Sequence, residues 1–257
     1  MTKPTIYTAS PDGAPLSLSY DETTDALIHG TLIEELGLMR LGSNYTFLVV
    51  VEHDERRFLA IYKPRDGERP LWDFADGTLC KREVAACVMS EALGWYLVPP
   101  TVLRMGERGE GSVQVFIQHD PKRHYFTFDE RHAEQLKQLA LFDAIANNAD
   151  RKGGHCLLDE TGRVWGIDQG LCFNHAPKLR TVIWDFAGQP IADDLLEDLR
   201  RWYEATADPH NAPAQALARL LDASEMLALQ RRLGKLIKSG CYPMPAPHGA
   251  NRPYPPI

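Results

Sequence analysis

The chain has 257 residues and a net charge of −7, and 44% of its residues are hydrophobic. These proportions are typical of a soluble globular protein, and the acidic balance argues against general nucleic-acid binding, which needs a basic surface. The five cysteines form no Cys-x-x-Cys pair, which favours a reducing compartment over a disulfide framework. The apolar runs are too short for a transmembrane segment, so we expect a cytoplasmic protein.

The first half of the chain has the pattern of a β-sheet with one helix. Residues 1–25 are polar and rich in turn-forming side chains, and we expect them to be a flexible lead-in. Apolar segments on either side of the turn-forming residues 53–56 predict strands at 45–52 and 57–62, and alternating apolar residues predict a third at 112–118. Pro64 is expected to end the second strand. Between the last two strands, apolar residues at i,i+4 spacing predict a helix over 81–95.

The second half has the pattern of a helical lobe. Residues 134–146 carry apolar side chains on more than one stripe, which indicates a largely buried helix. Further helices are predicted at 194–203, 213–221 and 224–238. After Gly240 the chain is rich in proline and is expected to be extended or disordered.

A β-rich half followed by an α-rich half predicts an α+β protein of two lobes with a cleft between them. We place the N-lobe at 26–118, the C-lobe at 119–240 and a proline-rich tail at 241–257.

The spacing of Asp150, His155 and Asp168 is typical of phosphoryl transfer. Such a site needs an acidic group that orients the attacking hydroxyl and two ligands for the metal ion that neutralises the nucleotide phosphates. Asp150 is the candidate catalytic residue; its alternative is an ordinary turn aspartate. A hairpin with its turn at Thr161-Gly162 and Glu160 opposite Arg163 places His155 opposite Asp168, so both can share one ion.

Asp168 and His155 are the candidate metal ligands. Asp168 follows an apolar strand, where it either binds the ion or only ends the strand in a turn. Imidazole suits Mn²⁺ better than Mg²⁺, because Mg²⁺ prefers oxygen ligands. The alternative for His155 is a hydrogen-bonded structural histidine.

The nucleotide contacts are predicted in the first half. Lys63 stands at a strand end, where kinases keep a phosphate-binding lysine, and Glu83 on the next helix is its expected partner. Taken singly, Lys63 fits a solvated strand end and Glu83 a first-turn acid. The turn that contains Ser43 and Asn44 is expected to contact phosphates through backbone N–H groups, unless it is an ordinary hairpin turn. Gln114 is expected to line the adenine site.

Six motifs together resemble the bacterial phosphatidylinositol 3-/4-kinase-like proteins over residues 28–240. They are Tyr62-Lys63-Pro64, Gly67-Glu68-Arg69-Pro70-Leu71-Trp72-Asp73-Phe74, Arg82-Glu83-Val84-Ala85, Val98-Pro99-Pro100-Thr101, Asp150-Arg151-Lys152-Gly153-Gly154-His155 and Ile167-Asp168-Gln169-Gly170-Leu171. The resemblance implies a small kinase-like fold, related at a distance to lipid kinases and to HipA-type toxin kinases. Lipid kinases carry Asp-Arg-His with an Asn five positions after the Asp; here Lys152 replaces the His and His155 replaces the Asn.

The sequence therefore predicts a kinase that uses ATP with Mg²⁺ or Mn²⁺ and phosphorylates a hydroxyl of a small molecule, a lipid headgroup or a protein. Two alternatives remain open. The first is a nucleotide-binding pseudokinase with a regulatory role, which the histidine at position 155 favours. The second is an adenylyl transferase that binds the nucleotide in the opposite direction on the same fold.

Overall fold

The computed structural model describes residues 2–39 and 44–257. In chain order the described strands and helices are β1 (Thr5–Ala9), β2 (Pro15–Ser19), α1 (Tyr20–His29), β3 (Thr31–Met39), β4 (Thr46–His53), β5 (Arg56–Pro64), α2 (Leu79–Ala92), β6 (Thr101–Gly106), β7 (Gly109–Val115), α3 (Ala133–Ala146), β8 (Cys156–Leu158), β9 (Val164–Gly166), α4 (Asp193–Ala207), α5 (Ala212–Leu220) and α6 (Ala223–Ser239). Among these residues no helix has both the length and the apolar character that crossing a bilayer requires.

A five-stranded antiparallel sheet forms the N-terminal lobe, in the order β3-β4-β5-β7-β6. As expected, β5 ends at Pro64, which is still paired with the sheet and lies opposite Gly111 of β7. A Cβ at residue 111 would lie 2.5 Å from the carbonyl oxygen of Lys63, so glycine lets the two strands approach there. Lys63 therefore lies in the paired part of β5 and not at an unpaired strand end.

The prediction of a flexible lead-in was wrong, because β1, β2 and the start of α1 occupy residues 5–25. Ile6 and Leu18 face each other across the β1–β2 hairpin and are buried in the same apolar cluster as the main sheet. Ser19 and Glu22 form a capping box that begins α1. The segment is ordered because alternate residues bury apolar side chains, although its overall composition is polar.

Helix α3 is the centre of the C-terminal lobe. Its residues Leu139, Leu141, Phe142 and Ile145 are fully buried, in agreement with the prediction of a helix with apolar residues around most of its surface. Helices α4, α5 and α6 contribute to the same core cluster, and α2 of the other lobe joins it. The lobe boundaries at 118 and 240 stay predictions.

The β8–β9 hairpin has a register one residue away from the expected one. Cys156 pairs with Gly166, and the carbonyl of His155 accepts the N–H of Ile167, so Asp168 lies one residue past the position opposite His155. The cause is the turn: the carboxylate of Asp159 accepts the N–H groups of Thr161 and Arg163 and closes a three-residue loop.

The tail, which the structure describes over all of 241–257, forms no helix or strand, and it packs against the C-terminal lobe. Tyr242 is buried, and its hydroxyl donates to the carbonyl of Lys137 at 3.2 Å. Farther along, the carbonyl of Asn251 accepts the N–H of Thr181 at 3.1 Å. Proline removes backbone donors but leaves the carbonyls, which here accept hydrogen bonds from loops of the lobe.

A buried ion pair joins the two lobes. Arg82 on α2 is paired with Glu225 on α6, and it also donates to the carbonyl of Cys172 at 2.8 Å. Both charged side chains are almost inaccessible to solvent. The pair fixes α2, which carries Glu83, relative to the C-terminal lobe.

Replacing Arg82 with methionine leaves the carboxylate of Glu225 buried without its partner. We expect Arg82→Met to lower the free energy of unfolding by about 3–5 kcal/mol, measured by urea denaturation. The matched control is Arg200→Met, because Arg200 is exposed on α4; we expect its effect to stay within about 0.5 kcal/mol. Equal losses in the two variants would show that the pair does not stabilise the fold.

Candidate active site

A cavity of about 540 Å³ lies between the sheet and the C-terminal lobe. Every predicted site residue that the structure describes lines this cavity: Asn44, Lys63, Glu83, Gln114, Asp150, His155 and Asp168. Ser43 lies outside the described residues. The sequence predictions thus named residues far apart in the chain that line one cleft, of the size usual for a small-molecule site.

Lys63 is the point at which the two lobes meet inside the cavity. Its ammonium group is paired with Glu83 of α2 and donates to Oδ1 of Asp168 at 2.7 Å. Burial lowers the pKa of Lys63, but the adjacent carboxylates of Asp168 and Glu83 outweigh this and hold it above its ordinary value. The lysine therefore remains positively charged in the cleft.

Glu83 holds two groups at once. One carboxylate oxygen is paired with Lys63, and Oε2 accepts the backbone N–H of Gln169 at 2.8 Å. Burial raises the pKa of Glu83, against the opposing effect of Lys63. Asp168 has a φ of +58°, in the left-handed region that aspartate tolerates better than most residues. Its carboxylate contacts Lys63, and the backbone N–H of the next residue, Gln169, is bonded to Glu83. The charge of Lys63 lowers the pKa of Asp168, whose side chain is open to the cleft.

The loop that carries Asp150 is fixed by the buried side chain of Arg151. Its guanidinium forms an ion pair with Asp143 of α3 at 2.9 Å and donates to the carbonyl of Ile167 at 2.8 Å. It also donates to Gln169 Oε1 at 3.0 Å. Arg151 therefore ties the end of α3, the loop and the segment after β9 together, which sets the position of Asp150 relative to Asp168.

Two charged residues of the cavity received no role from the sequence. Lys152 lies with its Nζ 3.2 Å from Oδ2 of Asp150 and lines the cleft. Its position two residues after Asp150 was a signal from which its place in the cleft could have been predicted. Glu68 also lines the cleft, and its carboxylate accepts the N–H groups of Leu79 and Cys80 at the start of α2. Glu68 lies in a loop, where periodicity gives no information.

Asp150, His155 and Asp168 form a group that could hold a metal ion, with one ligand atom from each within 4.8 Å of the others. Nδ1 of His155 lies 3.0 Å from the carbonyl oxygen of Asp150 and 3.5 Å from the backbone nitrogen of Lys152. We assign the hydrogen to Nδ1, because the carbonyl is the nearer partner and only accepts. Burial lowers the pKa of His155 to about 4, so the ring is neutral at pH 7.

With the hydrogen on Nδ1, the lone pair of Nε2 faces Oδ2 of Asp168 at 3.3 Å. Two acceptors at this distance favour a cation between them. The donor set therefore fits a divalent ion.

The family comparisons agree with this geometry. The family described as phosphatidylinositol 3- and 4-kinase matches residues 102–197, which include Asp150, His155 and Asp168. Protein Rv2133c of Mycobacterium tuberculosis is 38% identical over 278 residues, covering 95% of this chain and 97% of that protein. The chain belongs to the bacterial phosphatidylinositol 3-/4-kinase-like family. Lys63 and Glu83 precede the matched segment, so their assignment rests on the geometry of the cavity.

Two solved structures share the fold. Hydra Fam20, solved with a sugar, has a TM-score of 0.54 at 15% identity, with 86% of this chain and 87% of that chain covered. The Helicobacter pylori proinflammatory kinase CtkA has a TM-score of 0.50 at 14% identity, with 83% and 93% covered. These similarities confirm the predicted α+β, bilobal, kinase-like fold.

The environment of His155 predicts an unusual titration. Burial depresses its pKa to about 4, so the ring gains its second proton only in acid, well below the ordinary histidine value of about 6.5. In ¹⁵N NMR spectra we expect its signals to stay those of the neutral, Nδ1-protonated form between about pH 5.5 and pH 8. His155→Gln assigns the resonance. A midpoint near the ordinary value would contradict the described environment.

Proposed function

We propose that the protein transfers the γ-phosphoryl group of ATP to a hydroxyl acceptor, with Mg²⁺ or Mn²⁺ bound in the cleft. The observation that carries the proposal is the contact of Lys63 with both Glu83 and Asp168, on the same cavity as Asp150 and His155. A fixed cation and a set of metal-binding ligands on one cleft are what a triphosphate requires. The family and the fold support the same class of reaction.

Lys63 is proposed to bind the nucleotide phosphates, and Glu83 to hold Lys63 in place. Asp168 and His155 are the proposed metal ligands. A bound divalent ion neutralises phosphate charge in phosphoryl transfer. Because one donor is an imidazole nitrogen, the set suits Mn²⁺ better than Mg²⁺.

Asp150 is the proposed group that orients the acceptor hydroxyl. The hydroxyl oxygen forms a bond to the γ-phosphorus, the bond from that phosphorus to the bridging oxygen of ADP breaks, and ADP leaves with the electron pair. The hydroxyl proton passes to Asp150. Burial raises the pKa of Asp150, against the opposing effect of Lys152, which makes this carboxylate a better proton acceptor than an exposed one.

The adenine is proposed to lie deeper in the cleft, between apolar side chains of both lobes. Ile61 and Val115 line it from the sheet, and Leu157 and Ile167 from the β8–β9 hairpin. The side chain of Gln114 donates to Thr101 at 2.7 Å, so Gln114 shapes the wall with its side chain engaged. Asn44 accepts the N–H of Arg69, which supports a role in shaping the loop beside the phosphates.

Incubation with ATP labelled separately at the α- and γ-positions tests the proposal. We expect only the γ-label to move to an acceptor or to be released as phosphate. Transfer of the α-label would mean adenylyl transfer. Nucleotide binding without movement of either label would mean a pseudokinase with a regulatory role.

Asp168→Asn removes one charge from the metal site with little change in shape. We expect this variant to lose about 10²–10³-fold or more of the γ-phosphoryl transfer rate, as is typical when a transition-state electrostatic contact is removed. Circular dichroism should show an unchanged fold. Wild-type turnover by this variant would remove Asp168 from the proposed mechanism.

His155→Asn replaces the imidazole with the oxygen ligand that lipid kinases carry at the matching position. We expect the ratio of activity in Mg²⁺ to activity in Mn²⁺ to rise by about 10-fold or more. His119→Asn is the matched control, because His119 lines the same cavity outside the ligand group. An unchanged ratio in His155→Asn would show that position 155 does not bind the ion.

A further inference from the structure

Residues 251–257 run along the loop that carries Asp150. The segment is anchored at its start: the carbonyl of Asn251 accepts the N–H of Thr181 at 3.1 Å and the indole N–H of Trp184 at 2.9 Å, and Pro253 is buried. Residues 180–182 in turn pair with Arg151 through backbone hydrogen bonds. This anchor therefore lies directly beside the catalytic loop.

Beyond Pro253 the segment is mostly exposed. Tyr254 is 94% exposed and Ile257 is 61% exposed. In the part of the chain that the structure describes, one main-chain hydrogen bond joins the segment to the loop, from the N–H of Gly153 to the carbonyl of Pro256 at 2.7 Å. Pro255 and Ile257 nevertheless line the same cavity as Asp150. Residues 254–257, named here the strap, thus lie at the cleft with little buried surface to hold them.

Gly153 makes a docking point for a peptide carbonyl. It lies three residues after Asp150 in the same loop, and a Cβ there would lie 2.7 Å from the ring of Phe126. Glycine allows the aromatic ring to pack directly against the backbone, and the N–H beside it is bonded to the strap. Proline-rich segments favour extended conformations whose carbonyls are open to hydrogen bonding. The loop therefore already binds polypeptide through a main-chain hydrogen bond at Gly153.

We propose that the surface formed by Gly153 and Phe126 beside the cavity is the acceptor site, and that its acceptor is an extended polypeptide bearing a hydroxyl side chain. The strap competes with this acceptor. The inference rests on the proposed kinase function and adds the class of acceptor. The incoming peptide takes the hydrogen bond from Gly153 that Pro256 holds, which brings a neighbouring hydroxyl towards Asp150. The γ-phosphoryl group then moves to that hydroxyl, with ADP as the leaving group and the proton on Asp150.

The test compares the full chain with a variant that lacks residues 254–257. The readout is γ-phosphate transfer to a randomised peptide library that contains serine, threonine and tyrosine. We expect a severalfold faster transfer by the shortened variant, and inhibition of that variant by an added Asn-Arg-Pro-Tyr-Pro-Pro-Ile peptide but not by its scrambled form. Full-length Pro256→Gly, which loosens the strap without removing it, should lie between the two.

Amide hydrogen exchange and ATP hydrolysis by water separate the possible failures. In the shortened variant, faster exchange at Gly153 with unchanged exchange in α3 shows that only the strap is lost. If ATP is hydrolysed but both chains modify peptides equally and the added peptide does not inhibit, the strap does not compete. If ATP is hydrolysed and only lipid headgroups or small polyols are modified, the acceptor class is wrong. If neither chain turns over ATP, the proposed kinase function fails, and this inference with it.

Discussion

The contact of Lys63 with Glu83 and Asp168 is the interaction on which the geometry of the cleft depends. It places one ammonium group between a carboxylate of the N-terminal lobe and a carboxylate of the C-terminal lobe. Without that cation the two acids would repel each other in a partly buried site. The contact requires the β5–β7 register, the position of α2 and the turn after β9 to be correct together, so it reports on the arrangement of both lobes.

Two buried arginines maintain that arrangement. Arg151 joins α3 to the loop that carries Asp150 and to the chain around Asp168, whereas Arg82 joins α2 to α6. A guanidinium suits both places because its several donors reach a carboxylate and backbone carbonyls at the same time. The buried ion pairs of Arg151 and Arg82 thereby support the charged groups that face the cavity.

Several features were predictable because they follow from local patterns. The apolar runs of β4 and β5, the broad apolar surface of α3 and the spacing of Asp150, His155 and Asp168 all appear in short windows of sequence. Other features depended on contacts between distant segments. The polar composition of the first 25 residues concealed the β1–β2 hairpin, and β6 was not predicted. The Asp159 side chain changed the β8–β9 register, and packing of the tail on Gly153 had no local signal.

The most direct test of the central claim is a crystal structure of the full chain with Mn²⁺ and a non-hydrolysable ATP analogue, with the ion located by its anomalous scattering. The account predicts one Mn²⁺ peak bonded to Asp168 and His155, with the analogue's phosphates in contact with Lys63. Binding of the analogue outside this cleft, or an ion that contacts neither residue, would contradict it.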